Sequence, residues 1–154
     1  MQWPLLRQQF LFQLPLTATE ATASPQTANA AVLLLLFEEN SQLQLLLTRR
    51  AAHLRHHPGQ ISFPGGRIEP GEQSHTAALR EAHEEIGLVA DRIEVLGSLP
   101  TYVTGSAFVI TPVVGLVAPD FKLQPNPYEV DDVFEVPLAF LMDPAHHRRH
   151  VLEH

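Results

Sequence analysis

Residues 66–88 read GRIEPGEQSHTAALREAHEEIGL, and the rest of the chain is best read outward from them. Leu79, Ala82 and Ile86 recur at helical spacing, which predicts a helix over 73–86 with one apolar face. Gly87 follows where a left-handed residue would cap that helix. Glu81, Glu84 and Glu85 stand at i, i+3 and i+4, so they share one face within a single turn. Leu79 points about 200° away from Glu81 at 3.6 residues per turn. The predicted helix is apolar on one side and anionic on the other.

Like charges at this spacing repel and raise one another's carboxyl pKa. A cation at their centre reverses both effects. Hard dications such as Mg²⁺ and Mn²⁺ favour oxygen ligands and keep waters that a phosphate group can share or replace. Arg80, four residues before Glu84, can orient one carboxylate through its planar fork. A run of glutamates can equally be a solvated acidic face. The surrounding pattern favours an ion: Gly65-Gly66 let bare backbone approach a ligand closely, and Glu72 precedes the Arg80-Glu81 pair.

The flanking sequence predicts strands. AAVLLLLFEE (30–39) and LQLLLTR (43–49) read as a hairpin turning at Asn40-Ser41. Residues 50–60, RAAHLRHHPGQ, form a basic, His-rich loop. ISF (61–63) is a short strand, and PGG (64–66) turns the chain sharply. RIEVLGSLP (92–100) and AFVITPVVGLVA (107–118) are further strands, Pro112 implying an edge or a bulge in the second. A polar loop (119–128), a strand VFEVPL (133–138) and a helical turn near 139–142 follow. Ahead of the domain at 30–154, residues 1–29 read as an extension, with a short amphipathic helix at 4–14 and a loop at 17–29. Strands around one strong helix give an α/β (α+β) layered fold.

Composition bounds the function. One domain fills 154 residues, and 45% hydrophobic content suffices for a core. Ten basic residues against 17 acidic ones leave a net charge of −7, which argues against nucleic acid or anionic membrane as partners. An anionic small-molecule ligand would need local basic groups or a bound cation. The absence of cysteine removes thiolate catalysis and disulfides. The N-terminus lacks the pattern of a secretory signal, and the longest apolar run, 30–37, is too short to span a bilayer. A cytoplasmic protein is expected.

Gly66, five residues, Glu72, seven residues, then Arg80-Glu81-Ala82-His83-Glu84-Glu85-Ile86-Gly87-Leu88 resembles the complete Nudix box. The resemblance implies the Nudix fold, a mixed β-sheet sandwiched between helices. It implies hydrolysis of a nucleoside diphosphate linked to another group, with Mg²⁺ or Mn²⁺ as cofactor. It also implies roles: Glu81 and Glu85 as principal metal ligands, Glu84 as a further ligand or partner of a metal-bound water, the Gly65 carbonyl as an additional ligand, and Glu72 and Arg80 as positioning groups. Glu81, Glu84 and Arg80 form the catalytic set on this reading.

Ahead of the box, Leu46-Leu47-Thr48-x-Arg50-Ala51, three residues, Arg55, three residues, Gly59, three residues, then Phe63-Pro64-Gly65-Gly66 resembles the signature of the coenzyme A diphosphatase branch of that family. This implies cleavage of coenzyme A to 3′,5′-ADP and 4′-phosphopantetheine. Arg49, Arg50, Arg55, Gln60 and Phe63 are expected at the substrate, the arginines meeting phosphates that a metal leaves uncompensated. Cleavage of ADP-ribose or another nucleoside diphosphate is the nearest rival, and a non-catalytic nucleotide-binding regulator on this fold is a rival of another class.

Water attack on phosphorus needs a base or a metal that acidifies the water. Glu129, in the loop before Val133, is the downstream candidate, alongside the glutamates of the box. His53, His56 and His57 lie in a loop without a carboxylate motif, and His146, His147, His150 and His154 follow the last strand. These read as substrate-facing or solvated groups rather than a zinc site. Coenzyme A enzymes of this branch usually continue with another strand and a closing helix. The resemblance therefore implies a domain truncated at the C-terminus, with exposed apolar surface and a tendency to homodimerise.

Overall fold

The computed structural model describes residues 28–104 and 108–148. The helix expected at 4–14 and the loop expected at 17–29, save its last two residues, lie outside the described residues. Among the described residues, eight strands form one mixed sheet. β1 (Ala30–Glu39) and β2 (Gln42–Arg50) make the expected hairpin. Its two-residue turn places Asn40 and Ser41 at φ 52° and 62°, the left-handed pair that matches the twist of adjoining strands. The hairpin pairs only near its tip, from Leu36↔Leu45 to Glu39↔Gln42, and then forks.

Two short strands fill the fork. β3 (Ile61–Ser62) pairs β2 at Thr48 and Arg49, while β4 (Gly65–Arg67) pairs β1 at Ala30–Val32. The sharp turn expected at residues 64–66 is there as a bend at Pro64, where the chain reverses between β3 and β4, but Gly65 and Gly66 already belong to strand. Pro64 is buried and its carbonyl accepts the Leu33 N–H at 2.7 Å. Gly-Gly carries no strand preference of its own; the open edge of β1 imposes one.

β5 (Ile93–Ser98), β6 (Tyr102–Val103), β7 (Val109–Val117) and β8 (Val130–Pro137) complete the sheet. β7 runs parallel to β1 and is interior, so its apolar residues are buried on both faces. Pro112, expected at an edge or a bulge, thus sits inside a central strand. Its carbonyl accepts the Leu99 N–H at 2.8 Å, where pairing with β5 gives way to pairing with β6. The N–H that proline lacks would face this changeover, where no ladder bond is lost. The irregularity in register falls instead on β5, between Val95 and Gly97. β8 starts three residues earlier than the expected 133.

Helix α1 (Ser74–Ile86) covers one face of the sheet. Ala77, Ala78, Ala82 and Ile86 are fully buried there, against Leu33, Leu35 and Val113. Leu79, expected at the centre of the apolar face, is only partly buried at its margin. Alanines take the centre because a helix lying close on a sheet has no room for longer side chains. The opposite face buries Leu36, Leu45, Val114 and Leu116, with Leu138 and Leu141 of the short helix α2 (Leu138–Met142) packed on it. The domain is thus a mixed sheet with a helix on each side.

Candidate active site

The fork in the hairpin makes the site. Gly65 and Gly66 lie between β1 and α1 with no space to spare. A Cβ on Gly65 would stand 2.3 Å from the Ala31 carbonyl oxygen, and one on Gly66 would stand 2.6 Å from the Glu81 carboxylate. Close backbone approach requires glycine at 65, whereas at 66 a side chain would press on the Glu81 carboxylate.

Beside this wedge is a cavity of about 200 Å³. Glu81 and Glu85 reach it from α1, Thr48 and Arg50 from β2, and Glu129 from the loop before β8. Glu85 is 8% exposed. Burial chiefly, then the charges of Glu81 and Glu129, push its carboxyl up to about 8; a Gly65 backbone hydrogen bond and the charge of Arg50 oppose this. Burial likewise raises Glu81, with Glu84 and Glu129 adding to it, against the hydrogen bond from Arg80. The Oε2 of Glu129 is buried and has no hydrogen-bond partner in the protein.

Arg80 governs the outer side of the cluster. Its Nε and Nη2 donate to Glu72 at 2.9 and 3.0 Å, and Nη1 donates to Glu81 at 3.1 Å and to Glu84 at 3.3 Å. A fourth partner, the Arg67 carbonyl at 2.9 Å from Nη2, ties the fork to the guanidinium. The bidentate pair holds Glu72 down to about 2, helped by the Glu69 N–H. Arg80 is kept protonated by the same bonds, that to Glu72 foremost.

The loop bearing Glu129 is fastened to the C-terminus of α1. Gly87 caps the helix at φ 71°, its N–H donating to the His83 carbonyl at 2.9 Å. The next free carbonyls, of Ile86 and Glu85, accept the N–H groups of Gln124 and Asn126, both at 2.8 Å. A Cβ on Gly87 would lie 2.8 Å from Gln124. Phe121 anchors the same loop edge-on against Phe37, with ring centroids 4.9 Å apart. The helix terminus therefore places both Glu85 and Glu129.

The structure brings Glu81, Glu85, Gly65, Glu129 and Arg50 to one cavity, and leaves other expected residues outside its lining. Glu84 is half exposed and turned to Arg80. Arg49, Arg55 and Gln60 are exposed. Phe63 packs against the second core cluster beneath the fork rather than lining the cavity. Thr48 and Leu54 line the cavity without having been expected there. A lone threonine ending an apolar strand was the available signal for Thr48, whose Oγ1 bonds the Ser62 carbonyl at 3.2 Å; nothing in the sequence marks Leu54.

Among the described residues no three acidic or histidine side chains stand as a ready-made metal cluster. Arg80 accounts for this by drawing Glu81 and Glu84 to itself. The donor set nonetheless suits a hard dication: two carboxylates raised chiefly by burial and further by neighbouring carboxylates, and a backbone bend open only because Gly66 lacks a side chain.

A mixed sheet flanked by helices, with a carboxylate-bearing helix against a glycine fork, makes an α/β domain built around an acidic cleft. The NUDIX domain family matches residues 27–153, and the chain belongs to that family. It is 39% identical over 131 residues to the uncharacterized Nudix hydrolase NudL of Enterobacter sp. (strain 638), covering 84% of this chain and 68% of that protein. Its identity to the uncharacterized NudL of Photorhabdus laumondii is 43% over 129 residues, covering 83% and 68%. The fold is shared with a C. elegans Ap4A hydrolase in a binary complex (TM-score 0.62, 20% identity, covering 73% of this chain and 84% of that one). It is also shared with the NUDIX domain of Shewanella oneidensis NrtR complexed with ADP ribose (TM-score 0.53, 23% identity, covering 80% and 82%). No helix among the described residues is long and apolar enough to cross a membrane.

Proposed function

We propose that this Nudix hydrolase cleaves the diphosphate of coenzyme A or a derivative, giving 3′,5′-ADP and 4′-phosphopantetheine, with Mg²⁺ or Mn²⁺ in the acidic cleft. The observation that carries the reading is the convergence of Glu81, Glu85 and Glu129 on a cavity that Arg50 also lines. The coenzyme A assignment rests on the signature running from Leu46 through Arg50, Arg55 and Gly59 to Phe63-Pro64-Gly65-Gly66.

Glu81, Glu85 and the Gly65 carbonyl would hold the ion, and Glu84 would join them on leaving Arg80. The ion would neutralise diphosphate charge and acidify a water. The chain's own groups do the rest. Glu129, with Oε2 unpartnered, accepts the proton of the attacking water. Arg50 faces the phosphates across the cavity and offsets charge that develops on them. Arg80 and Glu72 keep Glu81 in orientation. Leu54 and Val130 give the cavity an apolar rim that limits bulk water.

Product analysis by mass spectrometry, with coenzyme A and Mg²⁺ and with ADP-ribose, NADH and a dinucleoside polyphosphate in parallel, tests this. The expected products are 3′,5′-ADP and 4′-phosphopantetheine. Far faster cleavage of ADP-ribose overturns the substrate, and binding without cleavage of any of them overturns the enzyme in favour of a regulator. Glu84→Gln separates catalysis further: an unchanged rate removes the catalytic part assigned to that carboxylate.

A further inference from the structure

The basic loop and the strand that follows Glu129 are stapled together by a side chain that neither motif contains. In the β2–β8 ladder Arg49 faces Asp132, while Arg50 faces Val130. Asp131 is therefore the extra residue of a β-bulge. Bulges beside active sites re-aim a side chain. Here the freed carboxylate turns to the basic loop and accepts the Ala52 N–H at 3.1 Å. The adjoining Ala51 N–H donates to the carbonyl of Glu129 itself, at 3.0 Å.

Arg50 closes the other end of the loop. Its N–H donates to the Gln60 carbonyl at 2.8 Å and its carbonyl accepts from Gly59 at 3.1 Å, so both ends of residues 51–59 meet at one residue. Arg50 lines the cavity, and its guanidinium reaches into the loop and donates twice to the His56 carbonyl, at 3.0 and 3.2 Å. Between these pins the loop presents His53, Arg55, His56 and His57 to solvent, a basic surface on a chain of net charge −7.

We infer that Asp131 is a positioning residue, whose bulged carboxylate fixes the basic loop relative to Glu129 so that one ligand meets both. The inference deepens the coenzyme A reading and rests on it for the ligand: the loop takes the phosphate that is not part of the diphosphate. Asp131 touches no reacting atom and acts through the Ala52 amide. Without the staple the loop keeps its closure at Arg50 and the Ala51 bond to Glu129, but the residues beyond Ala51 lose the tie that fixes their distance from the cavity. Ligands whose extra phosphate needs the loop then lose affinity, and ligands lacking that phosphate do not.

The test compares Asp131→Ala and Asp131→Asn with the parent chain in Mg²⁺ buffer. Hydrogen exchange over residues 50–58 is one readout; calorimetric binding of 3′,5′-ADP and of 5′-AMP is the other. For Asp131→Ala the expected result is at least fivefold faster exchange in the loop with α1 unchanged. Binding of 3′,5′-ADP should weaken about fivefold and that of 5′-AMP less than twofold. Asp131→Asn retains an acceptor oxygen and should restore both within twofold. Unchanged loop exchange in Asp131→Ala overturns the staple. Equal weakening of both nucleotides overturns the positioning role and leaves general destabilisation; so does an Asn variant as impaired as Ala. Failure of the coenzyme A reading shows separately, as a parent chain that binds the two nucleotides alike, and the exchange data then decide for or against Asp131 by themselves.

Discussion

Glu85 links stability to pH at the scale of one residue. Its carboxyl, pushed up to about 8 in the fold, titrates near 4.3 once the chain unfolds. Between these values the folded state holds a proton that the unfolded state has lost. Stability is complete below the unfolded value and falls as pH rises toward 8, by about 1.4 kcal/mol per pH unit within the window. Urea titrations in chelator from pH 5 to 8 should show this decline, and Glu85→Gln should flatten most of it; an unaltered slope in the variant would place the buried proton elsewhere. Glu72 has the opposite sign: held at about 2, it stabilises above the usual carboxylate range and loses that contribution as the medium is acidified through 2. The two glycines of the fork separate in the same way. Gly65→Ala drives a Cβ into the Ala31 backbone, which should cost about 1–3 kcal/mol of stability, measured from the shift in urea midpoint. Gly66→Ala meets only the mobile end of Glu81. It should fold nearly as well as the parent while losing 10–100-fold in cation-dependent activity, the usual effect of disturbing a metal ligand's support.

At the scale of elements, what the sequence reveals depends on whether a segment's partner lies within the segment. The 3.6-residue period of Leu79, Ala82 and Ile86 carries its own helix, and α1 begins one residue from the expected start. The hairpin is equally local, its turn residues adopting the left-handed backbone that Asn and Ser tolerate. β4 is not local: Gly65-Gly66-Arg67 becomes strand because β1 offers an open edge, and no propensity within three residues announces that. Pro112 misled for a related reason, since which side of a strand can spare an N–H depends on where its neighbours change. The site divides likewise. Glu81 and Glu85 were legible from helical spacing, and Glu129 only as one loop carboxylate among several. Its place is decided by Gln124 and Asn126 binding the end of α1, a contact over some 40 residues. The packing of α1 shows what hydropathy hid: alanine is the buried residue because it is small. Ala82, at 0% exposure against the sheet, should not accept a larger apolar group. Ala82→Leu is expected to lower stability by about 1–3 kcal/mol, measured as a shift in urea midpoint; a neutral or stabilising result would mean that the helix does not lie as close to β1 and β7 as described.

For the molecule as a whole, the acidic cleft ties folding to ligand. Carboxylates gathered under Arg80 and beside a buried neighbour cost stability when unmatched, and an ion that binds only the folded chain returns it. At one hundred times its Kd such an ion adds about 2.7 kcal/mol, which for a domain of this size raises the melting temperature by roughly 5–10 °C. The size of the rise should itself depend on pH. An ion bound through Glu85 must displace the proton that burial keeps there below about 8, so each unit of acidification weakens binding up to tenfold. Melting curves with Mg²⁺ or Mn²⁺ at pH 8 should therefore show a clear upward shift that shrinks at pH 6 at the same ion concentration, and Glu85→Gln should abolish it at both. Equal shifts at the two pH values would mean that the ion reaches the fold without Glu85, through the exposed carboxylates of Glu69 and Glu84 at the outer side of Arg80. The cavity would then have to be read as a substrate pocket with the cation at its mouth, and Arg80 rather than Glu85 would be the group whose substitution changes ion affinity most.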